Sequence, residues 1–272
     1  MILAENPQNM SSAGYERLLS TFLSGRSKKT RRAYLSDLKT LAEFLGAHSM
    51  TDALRFFLSG GQQYANHIAL EFKNELLEKK KNAPATINRK LATLRSLTKM
   101  ARMIGLLSWH LTAENLRNEL YRDTSGPGKD VIRQLLSLFN GKTDPKSLRD
   151  LAILRLLYDI GLRREEISQI DYDDLLAGKI QVLGKGKRSK VAMSLPPVTE
   201  RALASWITAR GTAGGALFTN FDRAGKGNRL TGNSIYRNLM SLSRKIGKEV
   251  RPHQIRHTSI TQACTRTYQK LR

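Results

Sequence analysis

The sequence predicts a mostly α-helical protein with one small antiparallel β-sheet: an N-terminal helical domain followed by a mixed α/β domain. Three observations predict it. Apolar residues recur at helical spacing in both halves of the chain. One stretch, residues 180–195, switches instead to the alternation of a β-hairpin. Between the halves, Thr124-Ser-Gly-Pro-Gly128 is the densest cluster of helix breakers. These place a helical domain at residues 13–110, a linker at 111–129 and a second domain at 130–272.

Residues 1–12 carry Asn, Gln and Ser with little periodicity and read as irregular. From Thr30, the positions Tyr34, Leu38, Leu41 and Leu45 form one apolar face, and Gly46 supplies a stop. Ile68, Phe72 and Leu76 form a second face, which ends in Lys79-Lys80-Lys81. Pro84 opens the clearest helix, with Ile87, Leu91, Leu94, Leu97, Ala101 and Ile104 on one side and Gly105 after it. Its other positions include Arg89, Lys90, Arg95, Lys99 and Arg102, so the helical domain is expected to have a basic side. Each of these residues taken alone fits a solvated helix face as well as a phosphate contact; the excess of charge favours phosphate for the group.

In the second half, Leu148, Leu151, Leu154 and Leu157 mark a helix that stops at Gly161, and a short helix follows through Glu166, Ile167 and Ile170. Ile180 and Val182 alternate, Gly184-Lys185-Gly186-Lys187 makes a turn, and Val191, Met193 and Leu195 alternate again before Pro196. Lys185 therefore belongs near a hairpin tip. Leu203, Trp206 and Ile207 suggest another helix, Leu217-Phe218 a buried segment, and Gly225-Lys-Gly227 a loop. Ile235, Leu239, Leu242 and Ile246 complete a helix that ends at Gly247. Pro252 then opens a last one.

Charge narrows the partner. The formal charge is +23, from 46 basic and 23 acidic residues. Divided after Gly126, the halves hold 19 basic against 11 acidic residues and 27 against 12. Both are basic, which excludes a neutral domain with a basic tail and points to a polyanion, double-stranded DNA first among them. Cys264 is the single cysteine, so an intramolecular disulfide and a cysteine-based zinc site are both excluded. The five histidines are scattered, and no metal site is expected. There is no apolar run near twenty residues and no signal peptide pattern, so the expectation is a cytoplasmic protein with no membrane partner. The spacing of a phosphate-binding Gly-x-x-x-x-Gly-Lys-Ser/Thr loop is absent, and no nucleotide or other cofactor is expected.

The candidate chemistry gathers around Arg251-Pro252-His253-Gln254-Ile255-Arg256-His257-Thr258. With Pro252 in the first turn, His253 and Arg256 stand three apart on one helical face. A helix N-terminus carrying a guanidinium and an imidazole suits an anionic phosphate. A second arginine, Arg163, follows Gly161 at a helix break in Gly-Leu-Arg163-Arg-Glu-Glu166. Singly, each candidate has a plainer reading: Arg163 paired with Glu166 at the surface, Lys185 as a solvated turn lysine, His253 as a structural histidine.

Their order is more telling. Gly-Leu-Arg163-x-x-Glu166, then Gly-Lys185-Gly-x-Lys in a hairpin, then His253-x-x-Arg256-His257 resembles the tyrosine recombinase (phage integrase) family, over about residues 13–262. The resemblance implies a helical core-binding domain and a mixed catalytic domain clamped around DNA, with self-association into a tetrameric synapse. It implies site-specific strand exchange by transesterification through a covalent 3′-phosphotyrosyl link. By it, Arg163 and Arg256 stabilise the charge on the pentavalent phosphorus, as planar, always-charged forks can. Lys185 is implied as the general acid for the leaving 5′-oxygen, and His253 as an aid to proton transfer or a phosphate ligand. Glu166 is implied only to orient its neighbours. No metal or nucleotide is needed, because the covalent link conserves the bond energy for rejoining.

One part of the pattern is missing. The family's nucleophilic tyrosine follows a further His or Trp box, well beyond the His-x-x-Arg box. Here the chain stops at Arg272, sixteen residues after Arg256, and Tyr268 is the one tyrosine in that stretch. The expectation is a C-terminally truncated catalytic domain in which Tyr268 is incidental. The alternative function is a catalytically inactive DNA-binding remnant of such a recombinase. A helix-turn-helix regulator would not need these boxes in this order.

Overall fold

A computed structural model describes residues 10–117, 126–184 and 186–270, the last nine as backbone. Mostly helical, with one three-stranded antiparallel sheet, it matches the fold class expected from the sequence. It divides into two compact units, Met1–Leu120 and Tyr121–Arg272.

The first unit contains α1 (Ser12–Leu23), α2 (Lys28–Phe44), α3 (Met50–Ser59), α4 (Gly61–Glu78) and α5 (Pro84–Met103). Serines start three of them. Ser11, Ser27 and Ser49 each accept the N–H of the residue three positions on, at 3.2, 3.2 and 3.0 Å, which satisfies an amide the helix leaves over. Proline at the first position opens α5, where its missing N–H costs nothing. The periodic residues of α5, from Ile87 through Leu91, Leu94 and Leu97 to Ala101, are all buried. They meet Leu38 and Leu41 of α2, Leu54 and Phe57 of α3, and Phe72 and Leu76 of α4 in one core. Helices α1 and α3 are additional to those read from the sequence. Residues 107–116 lack regular structure but lie on the same core, with Leu107 and Leu111 buried and Leu116 packed against it.

Three of the basic residues expected on one side of α5, Arg89, Lys90 and Arg95, also make internal contacts. Lys90 is buried, 3.4 Å from Asp37 Oδ1 and 2.8 Å from Thr40 Oγ1 of α2. Asp37, itself buried, also accepts from Arg89 at 2.6 Å and from Thr93 at 2.8 Å. Arg95 donates to the Ala113 carbonyl and to Asn115, tying residues 113–115 down. Of the five basic residues, Arg89, Lys99 and Arg102 are exposed. The burial of Lys90 is tolerable because a carboxylate and a hydroxyl replace its water.

The second unit is built around α7 (Pro145–Asp159), preceded by α6 (Gly128–Ser137). Ala152, Ile153, Leu154, Leu156 and Leu157 are all buried, so α7 is covered around most of its girth. Its neighbours are α9 (Pro197–Arg210) and α11 (Pro252–Lys270). After α7 come the short α8 (Arg164–Ser168) and a sheet of order β1-β2-β3 from Leu175–Leu176, Lys179–Leu183 and Lys190–Ser194. In the β2–β3 register Ile180 faces Met193 and Val182 faces Val191. Ile180 and Val182 are buried, but Val191 is 56% exposed. Val191 lies toward the outer end of β3, an edge strand. Trp206 of α9 is buried and donates to the Leu217 carbonyl at 3.0 Å, fixing the segment Leu217–Phe218 in the core. Helix α10 (Gly232–Lys245) starts at Thr231, which accepts the Ser234 N–H at 3.1 Å.

No helix among the described residues is long and apolar enough to cross a membrane.

Candidate active site

The site lies where α8 and α11 begin. Both starts depend on the residue just before them. Arg163 is extended beyond the α7 stop, and Gly161 makes that stop with a φ of +69°. A side chain there would be strained in φ, and its Cβ would come to 3.2 Å from Ser259 Oγ on α11. The carbonyl of Gly161, itself a buried residue, then accepts from Nη1 of Arg256. One residue thus ends α7, turns the chain toward α8 and holds the arginine of α11, 95 positions later.

Arg163 stands at the N-cap of α8. Its N–H donates to Glu166 Oε2 at 2.8 Å and its Nη1 donates to Glu166 Oε1 at 2.7 Å. Glu166 Oε2 also lies 4.0 Å from Nη1 of Arg256. A single buried carboxylate therefore sits between two guanidiniums from separate elements. The side chain of Glu166 is 7% exposed, that of Arg256 22% and that of Arg163 48%. The cluster keeps an unbalanced positive charge with its outer face open to solvent. Burial, and after it the Arg163 charge, pulls the Arg256 guanidinium below the ordinary arginine value, partly opposed by Glu166. Arginine is so strong a base that both stay charged.

Pro252 opens α11 as the sequence predicts, and Arg251 before it donates its N–H to Gln254 at 2.9 Å. His253 is then in the first turn, where free amides and the helix dipole favour an anion. Its Nε2 lies 2.9 Å from His257 Nε2, with the rings edge to face. Burial lowers the His253 pKa, and His257, Arg256 and Arg163 push it the same way. His253 therefore takes a second proton less readily than a free imidazole does.

The first turns of α11 are also fixed from outside. At Gly126 (φ +77°) a Cβ would meet Thr258 Oγ1 at 2.2 Å and the Gln254 carbonyl at 2.5 Å. The chain entering α6 therefore lies directly on α11, and only glycine fits there.

Of the residues the sequence singled out, Arg163, Glu166, His253 and Arg256 come together in this cluster. Lys185 lies outside the described residues, between Gly184 and a turn in which Lys187 N–H donates to the Gly184 carbonyl. Tyr268 lies on the backbone of α11, twelve residues beyond Arg256. Sequence reasoning missed Gly161 as a ligand of Arg256 and His257 as the partner of His253. The first had a signal, since a glycine two residues before Arg163 was already read as a stop. Among the described residues no group of three or more His, Cys, Asp or Glu is gathered for a metal ion.

Two guanidiniums, an imidazole and a helix N-terminus make a site for a phosphate, preferentially one gaining negative charge. Comparison with known proteins identifies the family. Residues 128–267 match the phage integrase family. A tyrosine recombinase of Synechocystis sp. is 36% identical across 98% of this chain and 89% of its own length. A second, from Synechococcus elongatus, is 37% identical over 89% and 78% of the two chains. Among solved structures, the XerH site-specific recombinase in its post-cleavage complex with a palindromic difH substrate superposes with a TM-score of 0.66. That match has 17% identity and covers 95% of this chain and 75% of that one. A lambda integrase tetramer bound to a Holliday junction gives 0.65 at 16% identity, over 91% and 70%. At those identities the structures speak for the fold, whereas the family match and the sequence relatives speak for descent: this chain belongs to the phage integrase family, the tyrosine recombinases of site-specific DNA recombination.

Proposed function

We propose that the chain cuts and rejoins DNA strands by transesterification, with the scissile phosphate held at the mouth of the Arg163–Arg256 cluster. The observation that carries this is the sharing of Glu166 by two guanidiniums from elements far apart in sequence. Such an arrangement fixes both forks before substrate arrives, so their binding energy is free for the pentavalent state. A tyrosine hydroxyl attacks phosphorus, the P–O5′ bond breaks, and the 3′-phosphate stays on the protein. His253 takes the phenolic proton or holds a non-bridging oxygen. Lys185, close to the β2–β3 turn, gives its proton to the departing 5′-oxygen. The phosphotyrosyl bond keeps the energy of the broken linkage, so rejoining needs no nucleotide.

Double-stranded DNA is the partner we assign, supported by the basic balance of both halves of the chain and by the DNA-bound structures of similar fold, XerH and lambda integrase. Residues 13–110 would bind the core site and the second unit would carry the chemistry, with copies assembling on DNA as the lambda integrase tetramer does. A DNA substrate assigns the protein to the cytoplasm.

A second reading is a chain that grips the phosphate without attacking it. One observation favours it. Along α11, twelve residues at about 1.5 Å each put the Tyr268 backbone roughly 18 Å from Arg256. That places the Tyr268 backbone about three helical turns beyond the arginine cluster. The test is a nicked suicide substrate carrying the cognate site, resolved on a denaturing gel for covalent adduct. An adduct lost in Tyr268→Phe makes Tyr268 the nucleophile; one that survives the change assigns another tyrosine. DNA shifted on a native gel with no adduct at all supports the second reading.

A further inference from the structure

Glu166 holds the side chain of Arg163, but the helix that Arg163 caps is only five residues long, Arg164–Ser168. A helix so short makes too few internal hydrogen bonds to keep its own place, so its position is set from outside. Two residues at the approach to α10 reach it, one at each end. At the C-terminal end, Arg229 donates from Nη1 to the Ser168 carbonyl at 3.0 Å and to the Ile170 carbonyl at 3.2 Å. Its Nη2 donates to the Asp171 carboxylate. Ser168 belongs to the last turn, whose carbonyls have no amide ahead of them in the helix. At the other end, the Glu165 carboxylate lies on the backbone of Gly232, the first residue of α10. A Cβ at Gly232 would come within 2.7 Å of Glu165 Oε2 and 2.8 Å of Oε1. A carboxylate there also complements the free amides of a helix start. Arg164 adds a third contact to α10, its guanidinium 5.4 Å from the centroid of the Tyr236 ring.

We propose that Arg229 and Gly232 bracket α8, and that Arg229 is a positioning residue for Arg163. The bracket fixes the turn from which Arg163 presents its guanidinium to phosphate. Arg229 can serve as a fixed point because its own backbone is tied down. It forms an antiparallel bridge with Thr219, and the Leu230 N–H beside it donates to the Phe218 carbonyl at 2.8 Å. The Thr219 carbonyl in turn accepts from buried Arg149 at 2.8 Å. Glu166 joins the two site arginines to each other; the bracket joins them to the rest of the domain. The inference rests on the phosphate site proposed above and adds what holds that site in place. Its weight falls on the chemical step. A shift of about 1 Å in a group that meets the transition state can cost about 100-fold in rate. DNA affinity is spread over many phosphate contacts and depends little on any one of them.

Amide hydrogen exchange of the full-length protein, read by nitrogen-15 spectra, tests the bracket without DNA. The probe is the Arg163 N–H, which donates to Glu166. The side chain in Arg229→Gln cannot span two carbonyls and a carboxylate. There the Arg163 N–H should exchange about tenfold faster, while buried α7 amides such as that of Leu156 keep their wild-type rates. Gly232→Ala is the milder second variant, since its methyl displaces only the flexible end of Glu165. It should quicken the same amide by less. Arg223→Gln, at an exposed arginine on the same loop, removes equal charge and should change nothing. An Arg163 amide unchanged in both Arg229→Gln and Gly232→Ala overturns the proposal. Faster exchange that spreads equally through α7 also overturns it, because Arg229 would then stabilise the whole unit and not α8. The nicked suicide substrate supplies the functional split. At saturating DNA the Arg229→Gln adduct rate should fall about 10–100-fold, with native-gel affinity little changed. Equal losses in rate and affinity count against a positioning role. A wild type that forms no adduct sinks the cleavage reading, and the exchange rates still judge the bracket.

Discussion

Glu166 takes two donors from Arg163, the backbone N–H at 2.8 Å on one oxygen and Nη1 at 2.7 Å on the other. The same carboxylate caps α8 and orients the arginine at its cap, so local folding and site geometry are one interaction. Glu166→Gln keeps the size but presents an amide NH2 to one of two donors. The buried N–H or the guanidinium then loses its acceptor, at a cost of about 1–3 kcal/mol to the second unit. Urea unfolding followed by Trp206 fluorescence, in a Trp109→Phe background, measures it. Adduct formation should fall further than DNA affinity does, because the arginines lose their orientation while most phosphate contacts remain.

Arg256→Lys tests whether a fork or a charge is required. Arg256 reaches the Gly161 carbonyl with one end of its guanidinium and faces Glu166 with the same nitrogen. An ammonium can take one of these positions but has no second parallel donor for a phosphate. The substitution should lower the cleavage rate about 10²–10³-fold, the range for removing one donor to a transition-state oxyanion. DNA binding on a native gel should change only a few-fold. Equal losses in both assays would show that Arg256 serves binding rather than the chemical step.

In the first unit the sensitive residue is Asp37. It is the common acceptor for Arg89, Lys90 and Thr93, and Lys90 is nearly as buried as Asp37. Asp37→Ala strands the lysine, and breaking a buried pair from one side costs about 3–5 kcal/mol. Trp109 packs on this core and reports the first unit by fluorescence when Trp206 is replaced with Phe. Lys90→Met together with Asp37→Ala should be milder than Asp37→Ala alone, because no charge is then left buried.

The contrast between Lys90 and Leu94 shows what the sequence could and could not tell. Leu94 belongs to a face that repeats every three or four residues, so its burial is legible locally. Lys90 is buried because Asp37 waits for it 53 positions away, and no period records that. The same limit hid Arg149, 2% exposed in α7 beside Asp150 and the Thr219 carbonyl, and it hid the Gly161–Arg256 contact. Helices α1, α3 and α6, ten to twelve residues long, are additional to those read from the sequence. The site residues were found differently. Arg163, His253 and Arg256 were legible as an ordered set, whereas their meeting at Glu166 is a fact of packing.

The last prediction concerns pH and follows from His253. Its pKa in the folded chain is lowered, chiefly by burial and then by His257, Arg256 and Arg163. The unfolded chain therefore binds a proton more readily than the folded one just below the ordinary value of 6.5. This term stabilises the fold fully above that value and is lost as pH falls through the folded pKa. The second unit should accordingly weaken between pH 6.5 and mild acid, and His253→Gln should flatten that part of the profile. Because His253 is partly exposed, the gradient stays below the one-proton limit of about tenfold in the unfolding constant per pH unit. Urea midpoints of wild type and His253→Gln at several pH values measure the difference. A gradient that survives the substitution assigns the acid sensitivity to another group and leaves His253 an ordinary surface imidazole.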